Sequence, residues 1–230
     1  MFNRVKISLF TALLAAVMSM TSSSPAQSFL TNGLVAYYTF SGNANDSSGF
    51  NNNGTVVGAT LTADRFGTPN RAYQFVGNGS TYISIPDSPS LDIASNITLT
   101  AWVQTGGGGT FSPRIISKYN YELGVDSTSS SPRVFGDLQP GGVVYSPGIS
   151  LNASRWIFLA CTYDGQTFRV FTNGLRAAQL TLSGPMGTSS KVLGIGANLD
   201  GGLISSMVRL TMFVFTTVRC PRANWPSCLR

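Results

Sequence analysis

The sequence predicts an all-β protein made of two packed antiparallel sheets, and three observations predict it. Short apolar runs recur along the chain, separated by clusters of Gly, Asn, Asp, Ser and Pro, the residues that make turns. The stretch Trp156–Ala177 (WIFLACTYDGQTFRVFTNGLRA) reads as two strands joined by a turn. In its first strand Phe158, Ala160 and Thr162 share one face and Ile157, Leu159 and Cys161 the other, so both sides are apolar. Such a strand belongs inside a sandwich. Finally, the 230 residues include 25 Gly and 11 Pro with only 10% charged residues, which suits a single β domain with appendages, long enough to bury a sizeable core.

The elements follow in order. After a polar linker, Gly33–Phe40 (GLVAYYTF) is the first expected strand, and SGNANDSSGFNNNGT after it is an irregular loop whose composition favours turns and left-handed conformations. Tyr73–Val76 and Tyr82–Ile85 are two short strands around Gly77-Asn78-Gly79. Pro86–Leu91 leads into Asn96–Gln104, a strand whose Trp102 is expected in the core, as is Trp156 further on. Gly106–Gly109 joins it to Ile115–Lys118. Tyr119–Val125 follows, then a Ser-rich loop, Arg133–Phe135, and Val143–Tyr145 after Pro140-Gly141-Gly142. In the central hairpin Asp164-Gly165 signals a type I′ turn, whose two central residues need positive φ. The return strand Thr167–Thr172 ends at Asn173-Gly174, and Ala178–Leu182 and Lys191–Gly196 complete the series. No helix of convincing length is expected before residue 203.

Net charge is +6, but Arg4 and Lys6 lie near the start and Arg209, Arg219, Arg222 and Arg230 near the end, where no acid offsets them. The nine other basic residues balance nine acids, so a nucleic-acid-binding face is not expected. Residues 1–26 have the form of a secretory signal peptide: Arg4 and Lys6, the apolar run Ile7–Met18, and small residues at Ser24-Pro25-Ala26. The run is short for a membrane span, so export without a membrane span in the mature chain is expected. Cys161 lies mid-strand and reads as a small buried apolar residue rather than a reactive thiol.

Seven pieces in a fixed order carry a family resemblance. They are Gly33–Tyr38 with Phe40, the Asn45–Gly49 loop, Ala72–Phe75 before Gly77, Tyr82–Pro86, Ile97–Val103, the Trp156–Gly174 hairpin with its Thr-Tyr-Asp-Gly, and Leu193–Gly196. Together, over about residues 33–202, they resemble the laminin-G-like form of the concanavalin A-like lectin/glucanase family. The resemblance implies a jelly-roll antiparallel β-sandwich, with residues 27–32 as a linker before it.

That family closes on a strand of the form F-x-G-x-I-D-D-V-R-I-Y-N-R-A-L-S. Here the chain reads LISSMVRLTMFVFTTVRCPRANWPSCLR from Leu203, with no acid and two cysteines, Cys220 and Cys228. The genetic code permits a test. Reading from the third base of one codon into the next, Met207-Val208 must give Gly, Met212-Phe213 Val, Asn224-Trp225 Leu and Trp225-Pro226 Ala. The remaining junctions from Ile204 permit F-F-N-G-A-I-D-D-V-R-I-Y-N-R-A-L-S. The expectation is that residues 203–230 are an out-of-frame tail and the final strand is disrupted. The substitute run Met212–Val218 is apolar, β-branched and uncharged, an aggregation-prone window. It can still take the missing strand's place, since a backbone ladder depends little on side-chain identity.

The inventory argues against catalysis. With no His, Ser-His-Asp, Cys-His and His-bearing zinc sites are excluded. Glu122 is the only Glu, whereas the related glucanases pair glutamates on one strand and glycoside hydrolysis takes two facing carboxylates. Asp126 on the same strand lies roughly 13 Å away by strand rise, too far for that chemistry, so Glu122 is read as solvated. Gly106–Gly109 lacks the Lys-Ser/Thr of a phosphate loop and is read as a flexible hairpin connection.

Calcium is the one cofactor to weigh. Asp46 sits among Asn45, Ser47, Ser48 and Asn51–Asn53, oxygen donors of the kind calcium takes. The resemblance implies Asp46 and Asn53 as its ligands, with an Asp of the displaced tail; the alternative is an ion-free Asn/Gly turn. For sugars, Phe50, Tyr119, Tyr121 and Tyr145 are aromatic faces able to stack on pyranose rings. Asn45, Asn53, Asn78, Asn96 and Asn152 begin Asn-x-Ser/Thr triplets, which matter only in a glycosylating host. The function expected is a secreted, non-catalytic binding or adhesion module that recognises carbohydrate. The alternative is a structural or protein-interaction domain of a cell-surface protein, bound to an extracellular protein surface.

Overall fold

The computed structural model describes residues 33–77, 79–105, 114–126, 133–148, 155–200, 204–205 and 208–216. The expected signal peptide and linker, the Gly106–Gly109 and Ser-rich loops, Asn78, Asn152, Cys220 and Cys228 lie outside them. Seventeen strands occur among the described residues: β1 (Leu34–Tyr38), β2 (Thr55–Val57), β3 (Thr60–Thr62), β4 (Ala72–Gln74), β5 (Tyr82–Ile85), β6 (Asn96–Thr105), β7 (Arg114–Lys118), β8 (Tyr121–Asp126), β9 (Arg133–Leu138), β10 (Gly142–Tyr145), β11 (Ile157–Asp164), β12 (Thr167–Thr172), β13 (Leu175–Thr181), β14 (Leu193–Ile195), β15 (Ala197–Asn198), β16 (Ile204–Ser205) and β17 (Val208–Thr216). The only helical element described is a 3₁₀ turn at Pro89–Leu91.

One sheet has eight strands, ordered β13-β12-β11-β6-β17-β4-β3 with β1 also paired to β17; the other has seven, ordered β10-β9-β8-β7-β14-β5-β2. The pairings between these strands are antiparallel. Alternation decides what each sheet buries. In β6 Ile97, Leu99, Ala101 and Val103 point inward, in β11 Leu159, Cys161 and Tyr163, and in β8 Tyr121, Leu123 and Val125. Inward residues from both sheets form one continuous core, and Gly136 on β9 gives room for its far side: a Cβ there would meet Phe168 Cζ at 2.4 Å.

The same parity corrects the placement of the tryptophans. Trp102 falls between the inward positions of β6, so it stands on the outer face of its sheet, packed on a small separate cluster of Phe158, Ala160 and Phe171. Its ring lies 5.4 Å from Phe158 and under the Arg65 guanidinium at 4.2 Å. Trp156 is half-buried just before β11. The two-sided apolarity of β11 is thus explained: one side feeds the core, the other this outer cluster.

The hairpin turns also separate. Asn173 and Gly174 both have positive φ (48° and 80°), as a type I′ turn requires. At the first turn only Gly165 does, at 83°. Asp164 instead remains in β11, and its carboxylate accepts the N–H groups of Gln166 and Thr167, an Asx-type closure.

The segment after Leu203 takes the central position. Strand β17 pairs with β6 on one side and with β4 and β1 on the other. Its ladder to β6 is interrupted by an irregularity between Thr211 and Phe213. Backbone from the segment after Leu203 therefore fills the position between β6 and the pair β4 and β1.

Candidate functional site

The outer face of the seven-stranded sheet carries a grid of charged and aromatic side chains, and register builds it. Residues directly opposite on neighbouring antiparallel strands share a face. One row runs Arg114–Gly124–Phe135–Tyr145 across β7, β8, β9 and β10. A second runs Ser117–Glu122–Asp137–Val143 across the same strands. Asp126 opposite Arg133 begins a third.

In the first row Gly124 has no side chain, so the Arg114 guanidinium reaches across β8 to lie 4.7 Å from the centroid of the Phe135 ring. Phe135 packs on Tyr145 with centroids 6.0 Å apart at 46°, and Arg133 lies 4.3 Å over the Tyr145 ring. Phe135 is 4% exposed and Tyr145 44%, so the first is a base and the second the ring offered to solvent. Val143 beside it is also exposed.

The second row concentrates charge. Glu122 is buried at 8% exposure, which corrects the expectation of a solvated glutamate. One of its oxygens accepts from Ser117 Oγ and from Asn198 Nδ2 at 3.2 Å, the other from Arg114 Nε at 3.0 Å. Burial raises its pKa; Arg114 and the Ser117 hydrogen bond act against that, and Asp137 adds to it. Asp137 is likewise raised by burial, opposed by Arg114. Asp126 holds Arg133 through a 2.6 Å ion pair. Three carboxylates thus share one face with two guanidiniums that are already paired.

The acidic neighbour of Glu122 is Asp137 on the next strand, not Asp126 on its own. No spacing in the sequence reveals this, because the pair is set by register across a hairpin. The signal that was present is the alternation of Tyr121–Asp126, in which every other position is polar or glycine.

The other sequence-predicted residues lie elsewhere. Tyr121 is fully buried, with its hydroxyl donating to Leu91 O at 3.0 Å, so it offers no ring to a sugar. Phe50 is exposed on the loop after β1 and Tyr119 at the β7–β8 turn; only Tyr145 belongs to the grid. Cys161 is buried, and burial pushes its thiol up to about 12, leaving it an unreactive core residue. A cavity of about 70 Å³ between Pro140, Tyr163 and Met186 is small beside ligand pockets of about 300–1,000 Å³, so an open face is the better site.

Asp46 and Asn53 are brought together, but as parts of a loop closure. One Asp46 carboxylate oxygen accepts the Tyr37 and Ser48 N–H groups, at 2.9 and 2.8 Å. The other accepts Ser48 Oγ at 2.7 Å and the Asn52 N–H at 3.0 Å. Asn53 Oδ1 accepts the Asp46 N–H at 2.9 Å. A carboxylate offers about four lone-pair sites, and all are engaged. With a single carboxylate so committed, these residues do not fit a calcium ligand set. Among the described residues no group of three or more His, Cys, Asp or Glu stands ready for a metal ion.

Comparison with known proteins supplies the family. The profile of a laminin G family described as the concanavalin A-like lectin/glucanases superfamily matches residues 77–207. A search of curated proteins finds no match. Among solved structures, domain 4 of AbnA, a GH43 extracellular arabinanase from Geobacillus stearothermophilus in complex with arabinotriose, is similar at TM-score 0.65 and 16% identity, over 86% of this chain and 98% of that one. The binding domain of Paraclostridial Mosquitocidal Protein 1 is similar at 0.69 and 13%, over 87% of this chain and 52% of that one. The botulinum neurotoxin serotype G binding domain follows at 0.64 and 16%, over 85% and 50%; the chain spans about half the length of these toxin domains. Among the described residues no helix is long and apolar enough to cross a membrane. The chain belongs to the concanavalin A-like lectin/glucanase superfamily.

Proposed function

We propose that this chain is a non-catalytic, exported binding module that takes a neutral glycan on the outer face of its seven-stranded sheet. The observation that carries the reading is the exposed Tyr145 ring, backed by Phe135 and framed by Arg133. An exposed ring with a guanidinium over one face and paired polar groups beside it suits a sugar, whose C–H groups pack on the exposed part of the ring and whose hydroxyls hydrogen-bond. The ligand is neutral because both guanidiniums of this face already serve Glu122 and Asp126, so neither is spare for an acidic sugar. Glu122 works here as a positioning group that holds Arg114. The arabinanase domain, seen with arabinotriose, supports a carbohydrate ligand for this fold.

A glycan array probed with the protein tests this: a reproducible set of neutral glycans is expected. Tyr145→Ala should weaken the best hit about tenfold, or ~1.4 kcal/mol, with the melting temperature unchanged. Undiminished binding by that variant removes the site. A silent array moves the reading to a protein partner, for which the feature on offer is the edge strand β13, with Leu175 76% and Leu180 38% exposed.

We also propose that residues 203–230 are read out of frame. The supporting point is the mismatch between a tail without acids and the acidic closing strand of the family. A gene rewritten in the alternative frame should give a more soluble protein that melts higher; equal solubility and melting refute the idea.

A further inference from the structure

The cation expected of the Asp46 loop has a counterpart elsewhere in the fold, and it is a side chain. Lys118 ends β7 facing inward, opposite Tyr121, and its side chain is fully buried. Its Nζ donates to Asp87 Oδ1 at 2.6 Å, to Ser189 O, and to Lys191 O at 2.8 Å. Asp92 Oδ1 lies 3.6 Å away, buried and without a hydrogen-bond partner.

The surroundings are therefore all hard oxygen: two carboxylates and two backbone carbonyls. This is the donor set of a calcium site, closed around an ammonium. The two carboxylates flank the 3₁₀ turn at Pro89–Leu91, and the two carbonyls come from the segment leading into β14. A positive charge at this junction ties the two segments to the end of β7, and without it two carboxylates would face two carbonyl oxygens uncompensated.

We propose that the Lys118 ammonium is the resident cation of this domain, making its fold independent of calcium, and that removing the side chain opens a divalent-cation site in its place. Two consequences separate this from an ordinary buried ion pair. The intact protein needs no metal for stability, and the emptied cage binds one.

The experiment is thermal unfolding of the full chain with EDTA or with about 10 mM calcium, joined to calorimetric titration with calcium chloride. Wild type should melt at the same temperature in both. Lys118→Ala should melt about 10 °C lower in EDTA. Calcium should return about 3–10 °C of that, for a dissociation constant of about 0.1–1 mM. Lys118→Met, whose stem fills the cage, should melt low and ignore calcium. Adding Asp87→Asn to Lys118→Ala should abolish the calcium response. A wild-type shift with EDTA, a Lys118→Met variant as stable as wild type, or a Lys118→Ala variant blind to calcium overturns the proposal, including one that stays unfolded in both solutions.

Discussion

Lys118 and Glu122 occupy the two arms of one hairpin, and they show how differently two buried charges can be housed. Lys118 points into the sandwich, where its ammonium is ringed by four oxygens, two of them from carboxylates. Glu122 points out, and although three donors hold it, burial and the facing Asp137 raise its pKa. The inner group is matched to its surroundings and ties segments together. The outer group keeps an electrostatic mismatch on an accessible sheet face, which is where recognition sites put perturbed groups. The lesson is to ask what a buried charge faces, not only how buried it is.

The largest expected effect breaks the inner arrangement. Lys118→Met should lose about 3–5 kcal/mol in urea unfolding, the usual result of stranding one side of a buried ion pair. Glu122→Gln keeps the shape and the Ser117 contact; it removes the ion pair with Arg114 but also the repulsion with Asp137, which still faces Arg114, so it should cost less, about 1–2 kcal/mol. Its other effect should fall on glycan binding. Similar stability losses in the two variants would erase the distinction between structural and functional charge.

A smaller effect sharpens the contrast at adjacent residues of β9. Gly136 faces inward against Phe168 and Cys161, whereas Asp137 faces outward beside Glu122. Gly136→Ala should destabilise by about 1–3 kcal/mol through overpacking and leave glycan affinity intact. Asp137→Asn should do the reverse. A Gly136→Ala protein with an unchanged denaturation midpoint would mean that Phe168 yields without loss.

The inner side of the molecule was the legible side. The strands carrying the core, from β6 through β12, stand where short apolar runs end at turn residues such as Gly106, Asn120, Pro140, Pro147, Gly165 and Asn173. Strands β2 and β3 escaped because three residues each of half-exposed Thr, Val and Leu leave no period to read. Trp102 was misplaced by size: a large apolar ring suggests a core, but its position between Ala101 and Val103 in an alternating strand already assigns it to the other face. Tyr121 failed for the converse reason, since it shares parity with Leu123 and Val125. The proposed recognition face was hidden because its rows run perpendicular to the chain. Glu122 meets Asp137, and Arg114 meets Phe135, only once the register of three strands is fixed.

The smallest effect is a matter of sign, and it compares Glu122 with Asp164. At Asp164 burial pushes the pKa up, but the Arg169 hydrogen bond, the N–H groups of Thr167 and Gln166 and the Arg169 charge outweigh it, so the net shift is downward. A carboxylate held lower when folded contributes stability that is present above its unfolded pKa, about 3.9, and lost as pH falls through the folded value. Glu122 is raised, so its contribution is present below its unfolded pKa, about 4.3, and lost as pH rises through the folded value. Replacing each by its amide removes these slopes. Measured from pH 3 to 7 by urea unfolding, Asp164→Asn should match wild type at the acid end and fall behind as pH rises. Glu122→Gln should gain on wild type over the same range, with Arg114, Ser117 and Asp137 still facing it. Parallel curves for the two variants would show that the hairpin's outer charge is as well matched as the ion pair of Asp164 with Arg169, and the contrast between the two kinds of site would then rest on the Lys118 cage alone.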